Sequence, residues 1–453
     1  MSRSAANLSS RNQCRSLQPA TSSLLFRVIS IHIDQLIEAI LHGDEKMVCV
    51  IINAAPALLL KKGTAIDLQE RPFTGTPLQA AIAADDIAPN KNSTGTVEII
   101  LKKLKEFDSE HYHAIFKEQV RELYEKSLRV YIGMQEKEIA RLCKLGGELP
   151  DNDPQQTGIN KKMRQAQVNL HAYAEALRSD DLNMLFETHK KAQADNAFDF
   201  KPYVDAILAI NLRNTEQKAQ LDDVMTLINA KTEEETKAVI TRTGVAPRES
   251  EDCRNKPFNE LTLVQKLNRF REKLAEQLQR EIIFNPHHIL TGLKANADVW
   301  FALPDRQDPN NDKRSVIFSQ LCGFAQRLAS EPVKQDIRQG TCYLTGEDEA
   351  GDYHLTGKNA IRRTRQSGFN TTGPNFSHVE NSLVDVSVSS LVDGIGYKFG
   401  GSTSQPERCS YWGCGLWEFK IYVEQKQQAF RTYYAAGAVD SQLPSSMKSF
   451  RCC

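Results

Sequence analysis

At 453 residues the chain is long enough for two or three domains and a large core. Its 57 Lys and Arg balance 57 Asp and Glu, so there is no global field and no strong signal for nucleic acid or an anionic membrane. Ten scattered cysteines lack the density of a disulfide-stapled secreted domain, which points to a reducing compartment. No apolar run approaches the roughly 20 residues that span a bilayer, so a soluble protein is expected.

Residues 1–25 are Ser-rich, carry Arg3, Arg11 and Arg15 and contain no acid; they are expected to form a disordered leader. The same composition, continued to residue 33, also suits an organelle transit peptide. Residues 26–110 contain one helix-pair pattern written twice. The first copy has Ala39, Gly43, Val48, Ile51 and Ile52 in order; the second has Thr76-Pro77-Leu78, Ala80-Ala81, an insertion, then Val97, Ile100 and Leu101. Thr76 can cap a helix, and Pro77 is tolerated in a first turn, where its missing N–H would have no helical partner anyway. Alanines 39, 80, 81, 83 and 84 let short helices lie close, and Val97, Ile100, Leu101 and Leu104 give the last helix an apolar stripe. Gly63 is expected to end a helix, residues 67–75 to project as a finger, and the insertion 87–95 to be too polar for a core. Asp85-Asp86 stand where a glycine-led turn is expected. The same spacing also fits a plain amphipathic helical bundle.

These residues resemble a short, degenerate ankyrin repeat unit. Stacked repeats need about three copies to bury a continuous core, so two copies are expected to lean on other parts of the chain. The resemblance implies a protein–protein interaction module that reads a partner through its finger and small-residue helix face, with Asp67, Arg71, Phe73, Gln79 and Ala83 as the contacting residues. Arg and aromatic side chains often dominate such interfaces.

Residues 111–295 read as a helical domain. One long helix runs to Gly146-Gly147 and Pro150, and residues 151–158 look like a polar linker. Met163, Ala166, Leu170, Tyr173 and Leu177 mark the next helix, and Ser179-Asp180-Asp181 caps the one after. Shorter helices are expected over 204–212 and 221–228, with a further start at Thr232. Leu263, Leu267, Phe270, Leu274 and Leu278 form a clean stripe for a bundle helix. His287-His288 are expected to cap or end a helix, and residues 296–312 to break the chain.

Residues 296–453 read as a smaller α+β C-terminal domain, within a mainly α fold. A helix over 314–339 carries Phe318-Ser319-Gln320-Leu321-Cys322-Gly323-Phe324-Ala325-Gln326-Arg327. With Lys256-Pro257-Phe258-Asn259-Glu260 and the ankyrin-like start, this F-x-Q-x-x-G-[FY]-x-Q-R motif resembles proteins of Legionella-type intracellular gamma-proteobacteria. Those proteins are taken to be effectors delivered by a type IV secretion system. The resemblance implies a bacterial cytoplasmic product that moves to the host cytoplasm and binds a host protein; it names no reaction. Beyond residue 340, Val384, Val386 and Val388 alternate with polar residues, and Trp417, Phe419, Ile421 and Val423 are expected to form one face of a strand.

Chemistry, if present, is expected in this last region. Cys414 with His378 as base and Asp385 as its orienter has the residue types of an activated thiolate nucleophile. The order His, Asp, Cys resembles cysteine proteases and acyltransferases that include ubiquitin-like protein proteases, although Gln405 stands nine residues before Cys414. A cysteine-dependent hydrolase or acyltransferase is therefore the second functional reading, after partner binding. Gly394, Gly396, Gly400 and Gly401 suit a hairpin better than a phosphate cradle, and Lys358, Arg362, Arg363 and Arg365 form a basic cluster. Cys342 with His354, and Cys409 with Cys414 and His378, lack the paired spacing of a zinc site; no metal and no cofactor are expected. The ending Cys452-Cys453 is of the kind that prenylation uses for peripheral membrane attachment.

Overall fold

The computed structural model describes residues 32–89, 95–150, 153–229, 256–302, 311–339 and 412–436, with helical positions at 238, 241 and 242. The fold is mainly α, with one two-stranded sheet among the described residues. No helix among them is long and apolar enough to cross a membrane.

The twice-written pattern forms two short helix pairs: α1 (Ile33–His42) with α2 (Glu45–Ala54), and α3 (Pro77–Ala83) with α4 (Thr96–Phe107). The pairs stack α1 on α3 and α2 on α4. Both first helices end in the same Schellman hydrogen bonds, which satisfy carbonyls that have no helical donor. In the first pair Gly43 N–H donates to Ile40 O and Asp44 N–H to Ala39 O; in the second, Asp85 N–H donates to Ile82 O and Asp86 N–H to Ala81 O. Gly43 has φ 60° and Asp85 φ 54°, so the aspartate occupies the left-handed position that the pattern leads one to expect for glycine.

Between the pairs, β1 (Gly63–Ile66) and β2 (Pro72–Gly75) form an antiparallel hairpin, with Gly63 opposite Gly75 and Ala65 opposite Phe73. Gly63 therefore starts a strand and does not end a helix. A Cβ there would sit 2.8 Å from both Asp34 Oδ1 and Ile33 Cγ1, so only glycine lets the hairpin lie this close to the start of α1. Thr64 N–H then donates to Asp34 Oδ1 at 2.7 Å.

Helix α3 begins as the Thr76-Pro77 signal implies: Gln79 N–H donates to Thr76 Oγ1 and Thr76 N–H to Gln79 Oε1, a reciprocal cap. The insertion is not uniformly solvent-facing, because Ile87 and Ala88 are buried. The buried Glu98 carboxylate accepts from the N–H groups of Ala88 and Gly95, tying the two ends of the insertion together.

Helices α5 (Tyr112–Glu148), α6 (Pro154–Arg178) and α7 (Leu182–Asp195) pack on one another behind the pairs. Asp153 caps α6 at Pro154, so the expected linker is shorter and Gly158 is helical. Asp181 caps α7 as expected. The chain continues through α8 (Lys201–Leu208), α9 (Thr215–Asn229), α10 (Leu263–Arg280) and α11 (His287–Ala302). Asn285 Oδ1 accepts from His287 N–H, so the histidine pair opens α11, and the expected break at 296 falls inside that helix. Next is α12, which runs as Asn311–Val316, a π-helical turn Ile317–Cys322 and Gly323–Arg327; α13 (Glu331–Gln339) follows it.

The residues 417–423, expected as a strand, lie in α14 (Trp412–Ala436). Its buried positions Phe419, Tyr422, Val423, Lys426 and Phe430 follow the helical repeat of 3.6. Two apolar clusters meet on this helix. Phe430 joins one that includes both helix pairs, α5 and α7; Phe419, Tyr422 and Val423 join another that includes α8, α10, α11 and α12. The two-pair unit thus leans on the rest of the chain, as its shortness implied.

Candidate functional site: a cleft beside the hairpin

The face of α3 that would read a partner in a free repeat unit is covered by this chain. Thr76 Oγ1 donates to Gln119 Oε1 at 2.7 Å, and Gln79 Nε2 donates to Gln119 O at 2.8 Å and Glu122 Oε2 at 3.0 Å, which fixes α3 to α5. At the other end of α3, Phe284 N–H donates to Ala83 O and Ser330 Oγ to Ala84 O. Residues 279–284 consequently run across the hairpin side of α3. They leave between them a cavity of about 230 Å³.

All five residues expected to touch a partner line this cavity: Asp67, Arg71, Phe73, Gln79 and Ala83. They do not form an exposed reading face, however, which corrects that expectation. Phe73, Gln79 and Ala83 are 9 %, 1 % and 6 % exposed, because α5 and residues 279–284 occupy the surface above them. Asp67 and Arg71 serve each other first. Asp67 Oδ1 accepts from the N–H groups of Gln69 and Arg71, and Oδ2 accepts from Arg71 Nε at 2.6 Å. That clamp holds the hairpin turn, where Glu70 has φ 59°.

Charge concentrates where the cavity meets solvent. Glu122 is bonded by both Lys62 and Lys126, at 2.6 and 2.8 Å. Burial alone would raise its carboxyl, but hydrogen bonds from Lys126, Lys62 and Gln79 hold it down at about 2. Across the mouth, Arg280 ends α10 beside the exposed Gln279. On the inner wall, both Glu281 carboxyl oxygens lie 3.0 Å from His288 Nε2, and Phe198 N–H donates to His288 Nδ1. With Nδ1 accepting, the ring proton sits on Nε2 and points at Glu281, an arrangement that anchors the segment and leaves no free imidazole nitrogen for catalysis.

Sequence reasoning missed that pair and a second one. Ser127 Oγ and His189 Nε2 are 2.8 Å apart, both buried, with the imidazole against the Tyr124 and Tyr131 rings. Burial lowers the His189 pKa to about 3, so the ring is neutral and this is a sealed core contact. Nothing local in the sequence announces either pair, since each joins residues on different helices or across a turn. The Gln-rich motif of 318–327 is likewise internal: its π-helical turn buries Gln320, whose Oε1 accepts from the buried Arg271.

Of the thiol reading, His378 and Asp385 lie outside the described residues, and Cys414 stands on the backbone of the first turn of α14. Also outside them lie the leader, Thr232, Cys342, His354, the basic cluster 358–365, Val384 to Val388, the glycines 394–401, Cys409 and Cys452-Cys453. Among the described residues no three His, Cys, Asp or Glu side chains group closely enough to hold a metal ion. No family model, curated protein or solved structure matches the chain.

Proposed function

We propose that the chain is a binding protein, which holds a short segment of a partner protein in the cleft between the hairpin, α3, α5 and residues 279–284. The observation that carries this reading is the convergence of Asp67, Arg71, Phe73, Gln79 and Ala83 on one cavity. At about 230 Å³ it is smaller than the roughly 300–1,000 Å³ of small-molecule pockets, and it suits one or two side chains of an extended segment. The partner is a host-cell protein, met after transfer from the bacterial to the host cytoplasm, as the resemblance implies.

A photo-crosslinking residue at the exposed Gln279 of the full chain tests this in host lysate. A discrete adduct is expected with the native cavity, and it should disappear when Ala83→Met fills the cavity without lowering the melting temperature. An adduct indifferent to Ala83→Met would overturn the reading.

A further inference from the structure

Two cations stand at the cleft mouth, Lys126 on one side and Arg280 on the other. Lys126 on α5 shares Glu122 with Lys62, which precedes β1; Arg280 at the end of α10 shares Glu276, at 3.9 Å, with Lys273 two turns earlier, at 3.6 Å. Both lining cations remain accessible although each is paired with a carboxylate: the Lys126 and Arg280 side chains are 45 % and 55 % exposed. The interior differs. It is walled by apolar Phe73, Leu123, Ile282 and Phe284, while its polar groups are already bonded, Asp67 to Arg71 and Glu281 to His288. A carboxylate entering fully would give up its hydration among these apolar side chains. An apolar side chain can enter, and an acid next to it along the ligand chain would meet the cationic rim.

We infer that the occupant is a linear acidic segment of a partner protein, which inserts one apolar side chain into the cavity and sets carboxylates against Lys126 and Arg280. This rests on the binding-protein reading and names the chemistry of its ligand. Rim charges of this exposure act mainly on association rate and on discrimination between ligands, so the preference is salt-dependent.

The experiment uses the full chain and two fluorescent octapeptides, each with a central leucine, one flanked by glutamates and the other by lysines. By anisotropy at low salt the acidic peptide is expected to bind about tenfold or more tighter, with the difference shrinking at high salt. The double variant Lys126→Glu with Arg280→Glu, both on the surface, should abolish or invert the preference; Ala83→Met should weaken the acidic peptide alone. Equal binding, no binding of either peptide, or a preference that survives the double variant would overturn the proposal. If the Gln279 crosslinker captures a protein that Ala83→Met releases and the acidic peptide does not displace, the acidic assignment falls while the binding-protein reading stands. Capture untouched by Ala83→Met removes both.

Discussion

The two helix pairs are built to one plan and finished by different means. In the first, the turn after α1 uses Gly43, for which φ 60° carries no Cβ penalty, and Asp44 then caps α2 by accepting from Met47 N–H. In the second, the same backbone bonds surround Asp85, which lacks that freedom and sits in the left-handed region at a cost of order 1–3 kcal/mol. Distant groups support what glycine supplies locally in the first pair. Lys426 Nζ on α14 donates to the Asp85 carbonyl and, at 2.8 Å, to its carboxylate; Tyr422 Oη, 2.8 Å from the same ammonium, donates to Asp336 at 2.6 Å. A repeat can thus give up its glycine when the rest of the chain is folded against it.

The sharpest way to break this comparison is Lys426→Met. It leaves the Asp85 carboxylate and carbonyl without their charged donor in a buried junction, and removing one partner of such a pair typically costs about 3–5 kcal/mol. Urea unfolding of the full chain should show a loss of that order. A change under about 1 kcal/mol would mean that the clamp is incidental.

Exchanging the turn residues should have a smaller, asymmetric effect. Gly43→Asp introduces a tolerated but strained left-handed aspartate, expected to cost about 1 kcal/mol. Asp85→Gly relieves the same strain yet takes from Lys426 one of its carboxylate partners, so a net loss of about 1–3 kcal/mol is expected where backbone preference alone would give a gain. Stabilisation by Asp85→Gly, measured by thermal melting, would remove the clamp from the account.

Acidity gives the mildest contrast, by slope. Glu98 in the second pair has its pKa raised, chiefly by burial and against the lowering bonds from Tyr433, from its own N–H and from the Ala88 N–H. A raised carboxyl contributes stability that is fully present below its ordinary 4.5 and is lost as pH rises through the folded value. The stability of the native chain minus that of Glu98→Gln should therefore grow as pH falls toward 4.5. His189 runs the other way: lowered by burial to about 3, it contributes stability that is full above its ordinary 6.5 and drains away as pH falls toward 3. The same subtraction with His189→Asn should shrink over that range, by at most about 1.4 kcal/mol per pH unit. Parallel slopes for the two variants would contradict these assignments.

What could be seen in the sequence was whatever a few neighbouring residues decide. Thr76-Pro77, Asp181 and the Leu263 stripe each announce a helix, because a cap bond or a 3.6-residue repeat needs only local chain. The five residues named from the sequence line one cavity, but three of them are buried where an exposed face was expected. The surface above them belongs to Gln119 and to residues 279–284, and no local pattern predicts that a segment two hundred residues away will lie there. Helix α14 was misread for a related reason. Phe419, Ile421 and Val423 alternate within a short window, whereas the buried face of the helix, Phe419, Tyr422, Val423, Lys426 and Phe430, shows its period only over three turns, with one apolar cluster taking its first part and another its last. The Asp85 turn was noticed only as a departure, since its explanation lies 341 positions further along the chain.

That separation sets an order of events during synthesis. At the ribosome's roughly 5–20 residues per second, the ammonium that steadies the second turn emerges some tens of seconds after the turn itself. Until then α1 and α2 can close on a glycine already in hand, while the turn after α3 must form around a left-handed aspartate before the ammonium of Lys426 exists. The nascent chain is therefore half-finished at its own beginning for most of its time on the ribosome, and a chaperone that shields residues 77–107 during that interval would be guarding the part of the protein that is made early and completed late.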